Sequence, residues 1–294
     1  MENLLIDNYE IYLVDVRKAS ANTVASYIRD IRKFALFLQS GGFDSFSNVS
    51  KDDILSFLST LEKSSKSPAT ISRCIASLKA FFNHLVDENY ASENPVADIS
   101  TNIVQKKAPR ILSHEEIRLL LAQPNVNKIK GCRDKAMFEI LYATGIRVSE
   151  LINLDETDIN LTIGLVSCRS GRARVVPIHE SAVEAVSLYL SFARPKLIVD
   201  GETALFVNTN GERMTRQGFW KILKTYSEQA KIDADITPQM LRNSFATHLL
   251  ENGANIQALQ EILGHAGISS TRAYARIVKH QLKDMYSKSH PMAK

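Results

Sequence analysis

Apolar residues recur every three or four positions along most of this chain, and short polar runs divide the recurrence into separate helices. Leu5, Tyr9, Tyr12, Leu13 and Val16 form a first stripe. A second, Tyr27, Ile31, Phe34, Phe37 and Leu38, opens on Ser20 or Asn22 as helix cap and closes at Gly41-Gly42. Ser50 caps a third, with Ile54, Phe57, Leu58 and Leu61 on its inner face. The polar run 63–68 leads to a fourth, with Ile71, Ile75, Leu78, Phe81, Phe82 and Leu85. Four helices on short loops predict a bundle over residues 1–104.

The periodicity lapses over 101–112, where Lys106, Lys107, Pro109 and Arg110 mark a basic linker, 105–112. Ser113 with Glu116 is a capping box that opens a second domain, 113–294. A strongly apolar helix, Arg133 to Tyr142, ends near Gly145. The β-favouring runs of 164–178 flank Ser170-Gly171 and predict a hairpin, with a third short strand ending at Val207-Asn208. Helices are expected over Ser181–Leu197 and Thr215–Ala230. Thr237 and Pro238 start another, with Leu241, Phe245, Leu249 and Leu250 inside, broken by Gly253. Ile256, Leu259, Ile262 and Leu263 form the next stripe, stopped by Gly264. Beyond Tyr274, the residues Ile277, Val278, Leu282, Met285 and Tyr286 predict a short amphipathic helix. The fold class is therefore mainly α in two domains, a four-helix bundle and a larger α-rich domain with one small antiparallel sheet.

Composition narrows the class. The 294 residues are 45% hydrophobic and 23% charged, as in globular proteins. There is neither an 18-residue apolar run nor a signal-peptide pattern, so no membrane role is expected. Cys74, Cys132 and Cys168 are scattered without metal spacing, which points to a reducing cytoplasm and to neither metal nor organic cofactor. The net charge of +4 is uneven. Residues 1–104 carry 10 Lys and Arg against 13 Asp and Glu, whereas 105–294 carry 26 against 19. A basic excess confined to one part suits a phosphate-rich partner.

That part also holds the candidate chemistry. Gln239 and Arg242 are three apart on one helix face. His265 lies in the turn just past Gly264, and Tyr274 follows nine residues later. A guanidinium clamps phosphate oxygens, a phenol can attack phosphorus, and an imidazole can donate a hydrogen bond or a proton. The group is equipped for phosphoryl transfer.

The segments LRNSFATHLL, LGH and Tyr274, preceded by ATGIRVSEL at 143–151, resemble the two catalytic motif blocks of the tyrosine recombinase (phage integrase) family. The likeness is nearest to the Xer type and runs over nearly the whole chain. It implies that Tyr274 is the nucleophile, that Arg147 and Arg242 hold the scissile phosphate with His265, and that Glu150 supports Arg147. It implies a 3′-phosphotyrosyl intermediate in a topoisomerase IB-like transesterification, duplex DNA as partner and no cofactor. It also implies a homo-tetramer on two DNA sites, linked through the C-terminal helix, with a second recombinase or accessory protein as a further partner. Xer-like resolution and mobile-element integration or excision are both compatible with the motifs.

Two positions depart from the family pattern. The family's histidine three residues before the second arginine is Gln239 here, which cannot carry charge or exchange a proton. The family's hairpin lysine is also missing. Counting back from RVVPI puts Arg169 at its place, with Arg172 the runner-up, and an arginine with pKa above ~12 is a poor proton donor. These departures motivate an alternative, a DNA-binding or architectural protein with weak or lost cleavage.

The resemblance also implies that the bundle grips DNA. Arg29, Arg32, Lys33, Lys66, Arg73 and Lys79 are its expected phosphate-facing residues. In the linker and catalytic domain the corresponding residues are Lys106, Lys107, Arg216 and Lys221, with Arg174 either on DNA or packed.

Overall fold

A computed structural model describes residues 2–42, 45–99, 110–265, 267, 271 and 274. The chain divides into two compact units, 1–106 and 107–294. Lys106, Lys107 and the segment beyond Tyr274 lie outside the described residues.

In the first unit, α1 (Glu2–Asp15), α2 (Ala21–Ser40), α3 (Lys51–Lys63) and α4 (Pro68–Asp87) form the bundle. Their starts follow local chemistry. Ser20, rather than Asn22, caps α2 by accepting from the Thr23 amide. Ser50 and Asp53 form a capping box on α3, and Ser67 caps α4 with Pro68 in its first turn. The stripes meet in an aromatic core where Phe34 packs against Phe57 at 5.1 Å and Phe46 against Phe81 at 5.0 Å. Each such pair adds roughly 0.5–1.5 kcal/mol beyond its buried area.

One charge is buried in that bundle. Asp30 receives Arg73 Nε at 3.0 Å, Arg73 Nη2 at 2.8 Å and Ser77 Oγ at 3.2 Å. Arg73 is therefore committed to tying α4 to α2, and Lys79 Nζ donates to the Ala97 carbonyl. Arg32 stands exposed near Asp7 and Glu10 of α1, at 3.5 and 3.7 Å. Arg29, Lys33 and Lys66 are exposed.

The second unit carries α5 (His114–Ala122), α6 (Ile129–Thr144), α7 (Val148–Ile152), α8 (Glu180–Leu188), α9 (Arg216–Gln229), α10 (Pro238–Glu251) and α11 (Ile256–Leu263). The sheet is β1 (Ile159–Asn160), β2 (Leu165–Cys168) and β3 (Arg174–Pro177), antiparallel in the order β1-β2-β3 with Val166 opposite Val176. The central α6 is buried over most of its surface, and the charges it buries are paired, Arg133 with Asp134 at 2.8 Å and Lys135 with Glu139 at 2.6 Å. Arg110 does not lie free in the linker, because it donates to the Asp233 carbonyl and to Glu116 at 3.2 Å.

One expectation about this unit is corrected. The third strand is β1, before the hairpin, and Val207 makes only an isolated bridge with Arg213. The expected helix after Ser181 is present but changes pitch: past Leu188 it widens to a π turn at Tyr189–Ala193 and tightens to a 3₁₀ turn at Arg194–Lys196. Pro195 explains the change, since it offers no amide hydrogen and its ring crowds the preceding turn.

Candidate active site

The geometry begins at the end of α6. Gly145 takes φ 58°, and a Cβ there would overlap the Phe245 ring of α10. The tight approach brings the Gly145 carbonyl onto Arg242 Nη1 and sets Arg147 at the mouth of α7. Arg242 is buried, and its Nη2 donates to the Leu263 carbonyl at 2.6 Å and to His265 Nε2 at 3.1 Å. Those contacts use three of the five guanidinium N–H groups and leave two for a ligand. Burial, then the charge of Arg147, lowers the Arg242 pKa to about 10, so it remains a cation at neutral pH.

The same contacts define the state of His265. A guanidinium can only donate, so Nε2 accepts, the ring proton sits on Nδ1, and Nδ1 donates to Thr271 Oγ1 at 2.9 Å. Burial and the neighbouring Arg242 lower the His265 pKa to about 4, which keeps the imidazole neutral. The Tyr274 ring lies nearly parallel to it, with centroids 6.2 Å apart. The phenol is 6% exposed and donates to Asn243 Oδ1 at 3.1 Å. Burial raises its pKa, opposed by the charge of Arg242, so the resting nucleophile is a protonated phenol.

Arg147 differs from Arg242 in being half open, with a side chain 45% exposed. Its amide donates to Glu150 Oε2 at 2.7 Å and its Nη1 to Oε1 at 3.3 Å. The stronger partner of Glu150 is Arg174, with Nη1 to Oε1 at 2.9 Å and Nη2 to Oε2 at 3.0 Å. Burial works to raise the Glu150 pKa, but the hydrogen bonds from Arg174 and the Arg147 amide win and the carboxyl is held below its ordinary range. Arg174 Nε also donates to the Ile262 carbonyl at 2.6 Å, and a Cβ on Gly264 would sit 2.8 Å from Arg174 Nη1. Gly264 itself is left-handed, φ 63°.

Of the two roles open to Arg174, DNA contact or packing, its burial and partners fit packing: it is a tie that joins the hairpin to α7 and α11 beside the turn leading to His265. Glu150→Ala is expected to leave the Arg174 guanidinium buried without a counter-charge. The loss should be about 3–5 kcal/mol in denaturant unfolding, with Glu150→Gln falling between. An unchanged midpoint for Glu150→Ala would show that the tie carries no stability.

The two hairpin candidates exchange places. Val166 and Cys168 face the core, so Arg169 leaves β2 on the opposite side and rests on Asp158, Nε to Oδ1 2.6 Å. Arg172, past the turn, reaches inward and donates to the His265 carbonyl at 3.0 Å. Gln239 is exposed beside Arg242 in a cleft of about 830 Å³ that Arg147, Arg216, Trp220 and Lys221 also line. Arg216 and Lys221 of α9 therefore face the same opening as the candidate phosphate clamp.

Asn243 and Thr271 do not stand out in the sequence, because short polar residues among other polar ones read as ordinary surface or packing positions. His114, His248 and Glu251 bring their ligand atoms within 4.8 Å of one another. The two imidazoles stack face to face at 3.8 Å, and the Tyr142 hydroxyl occupies His248 Nδ1 at 2.9 Å. In that arrangement their in-plane lone pairs do not converge, so the group is a packed pair and not a metal centre.

Comparisons with known proteins show the family and the fold. Residues 110–281 match the phage integrase family and residues 6–89 its N-terminal SAM-like domain. Tyrosine recombinase XerD of Oceanobacillus iheyensis is 44% identical over 293 residues, covering 98% of both chains. That of Listeria innocua is 39% identical over 99% of this chain and 100% of its own. Among solved structures, XerH site-specific recombinase bound to palindromic difH substrate shares the fold, with a TM-score of 0.74 at 24% identity over 92% of this chain and 81% of that one. The Tn1549 transposon integrase with circular intermediate DNA shares it too, with a TM-score of 0.74 at 22% identity over 92% and 94%. No helix among the described residues is long and apolar enough to cross a membrane.

Proposed function

The chain belongs to the phage integrase family, and from that premise we propose that it is a site-specific tyrosine recombinase in which Tyr274 cuts and rejoins duplex DNA within a clamp made by Arg147 and Arg242. One observation carries the assignment. Arg242, His265 and Tyr274 come from separate segments, yet Arg242 bonds His265, and His265 packs against the Tyr274 ring beside the half-open Arg147.

The chemistry follows from the donors. Arg147 and the two unused N–H groups of Arg242 bind the non-bridging oxygens of a backbone phosphate, where negative charge grows in the transition state. The Tyr274 oxygen attacks phosphorus in line, the bond to the 5′-oxygen breaks, and a 3′-phosphotyrosyl ester remains. The 5′-hydroxyl of a partner strand reverses the step, so bond energy is conserved and no nucleotide is consumed. Arg172, already at the His265 backbone, is the hairpin cation placed to neutralise the departing 5′-oxygen, with Arg169 as a second candidate once freed from Asp158. Neither is an efficient acid, and poorer proton donation costs on the order of 10²–10⁴ in rate.

We place the 1–104 bundle as the DNA-clamping domain, 105–112 as linker and 113–294 as the catalytic domain. Arg29, Lys33 and Lys66 are its free cations for phosphate, and Arg216 and Lys221 serve the catalytic cleft. A tetramer on two sites, a cytoplasmic location and an Xer-like role in chromosome partition complete the reading. The full-length similarity to proteins named tyrosine recombinase XerD supports that role.

The test is a nicked duplex of the cognate site, selected from bound genomic fragments, that traps the cleaved intermediate. A denaturation-resistant protein–DNA band is expected. Tight specific binding with no band under any partner condition would overturn the recombinase reading.

A further inference from the structure

Asn243 occupies a place that the reaction scheme leaves unassigned. It follows Arg242 on α10 and is 6% exposed. Its Oδ1 accepts two hydrogen bonds, from the Tyr274 hydroxyl at 3.1 Å and from Gln239 Nε2 at 2.9 Å. We propose that Asn243 is the positioning residue for the nucleophile, and that Gln239 acts through Asn243 and not on the phosphate. The inference rests on Tyr274 being the nucleophile.

Three physical points support it. The phenolic hydrogen can rotate about the C–O bond, so its direction depends on the acceptor nearby. Arg242, whose charge acts on the phenol, offers only donors, and so the hydrogen points to Asn243 Oδ1. With the hydrogen held there, an oxygen lone pair is left for an incoming phosphorus.

The second point concerns the proton. An amide oxygen accepts a hydrogen bond but does not take a proton at neutral pH. During attack the new bond to phosphorus forms, the bond to the 5′-oxygen breaks, the phenol loses its proton and the 5′-oxygen gains one. Asn243 serves neither transfer. Its effect is to hold the phenol in one orientation until the phosphate arrives.

The third point explains the glutamine. A primary amide can present either its oxygen or its NH₂ to the phenol. Gln239, one helical turn before Asn243, donates from Nε2 to that same oxygen, an orientation consistent with the oxygen facing the phenol. A neutral side chain with a donor is what that task requires, and an exposed position at the cleft edge lets it reach Asn243 without being buried. The lost imidazole at this position and the asparagine beside Arg242 are then two halves of one arrangement.

The experiment is a double-mutant cycle on the full-length protein with the nicked duplex, read as the single-turnover rate of covalent adduct formation. Asn243→Ala should slow the adduct about 10–100-fold, the scale on which a nucleophile misplaced by an ångström loses rate, with DNA affinity unchanged. Gln239→Ala should cause part of that loss alone and none in the Asn243→Ala background. Independent, multiplying losses would overturn the proposal and put Gln239 on the phosphate. Asn243→Asp keeps an acceptor for both donors and adds a base. It should retain the rate and gain an acid limb in the pH–rate profile where the carboxyl protonates. A pH-independent loss as deep as that of alanine would also overturn the proposal, and this variant carries the test if the alanine protein does not fold. A wild-type protein that forms no adduct would instead remove the nucleophile assignment beneath it.

Discussion

Tyr274→Phe is expected to bind its DNA site with unchanged affinity and to form no covalent adduct, a loss of more than ~10⁴-fold in cleavage, as when a nucleophile is deleted elsewhere. The change removes one oxygen. The ring remains packed within the cluster of Phe245, Ala246, Leu259 and Leu263, so the fold has little reason to respond. The hydrogen bond lost is the one to Asn243 Oδ1, which keeps its bond from Gln239, so the stability cost should be about 1 kcal/mol. Gel analysis of the nicked substrate beside a thermal melt separates the two effects. An adduct that survives the substitution would show that another residue attacks the phosphate.

Arg242→Ala is the second large effect, and it should strike stability and chemistry together. The side chain fills a buried site and satisfies the carbonyls of Gly145 and Leu263 as well as His265 Nε2. Removing it leaves three buried acceptors unpaired, each costing about 1–3 kcal/mol before the site relaxes. The turn that carries His265 then loses its anchor to α6. Cleavage should fall at least ~10³-fold, since a preorganised donor to the reacting phosphate disappears with the charge. Arg242→Lys sharpens the reading. An ammonium restores the charge but cannot span two carbonyls and a phosphate at once. Part of the lost melting temperature should return while cleavage stays low. A lysine variant that cleaves normally would mean that charge alone, and not the fork, is what the phosphate needs.

Both predictions depend on contacts that differ in how far they could be read in advance. The helix starts were legible because their determinants are local. A serine or threonine oxygen three residues from an amide, or proline in a first turn, acts within one helical turn, and Ser20, Ser50, Ser113 and Thr237 all cap as their neighbours require. The third strand was misread for a related reason. Two residues of β1 carry no periodicity of their own and are strand only because β2 lies beside them. Arg174 shows the same limit among charged residues. Its sequence neighbours left DNA contact and packing both open, because its partners, Glu150 and the Ile262 carbonyl, come from α7 and α11.

The sequence by itself determined where helices begin and end, that there are two cores, and which residue types suit phosphoryl transfer. The resemblance of two segments to the family's motif blocks pointed to Arg147, Arg242, His265 and Tyr274. Only the tertiary structure decided how those groups are held. It made His265 an acceptor toward Arg242, turned Arg172 inward in place of Arg169, buried Arg174 on Glu150, and set Asn243 between Gln239 and the phenol. The physical reason is range. Caps, turns and amphipathic periods are settled by neighbours a few residues away, whereas a hydrogen bond has direction and reaches about 3 Å. Which donor meets which acceptor is therefore known only once distant segments have packed.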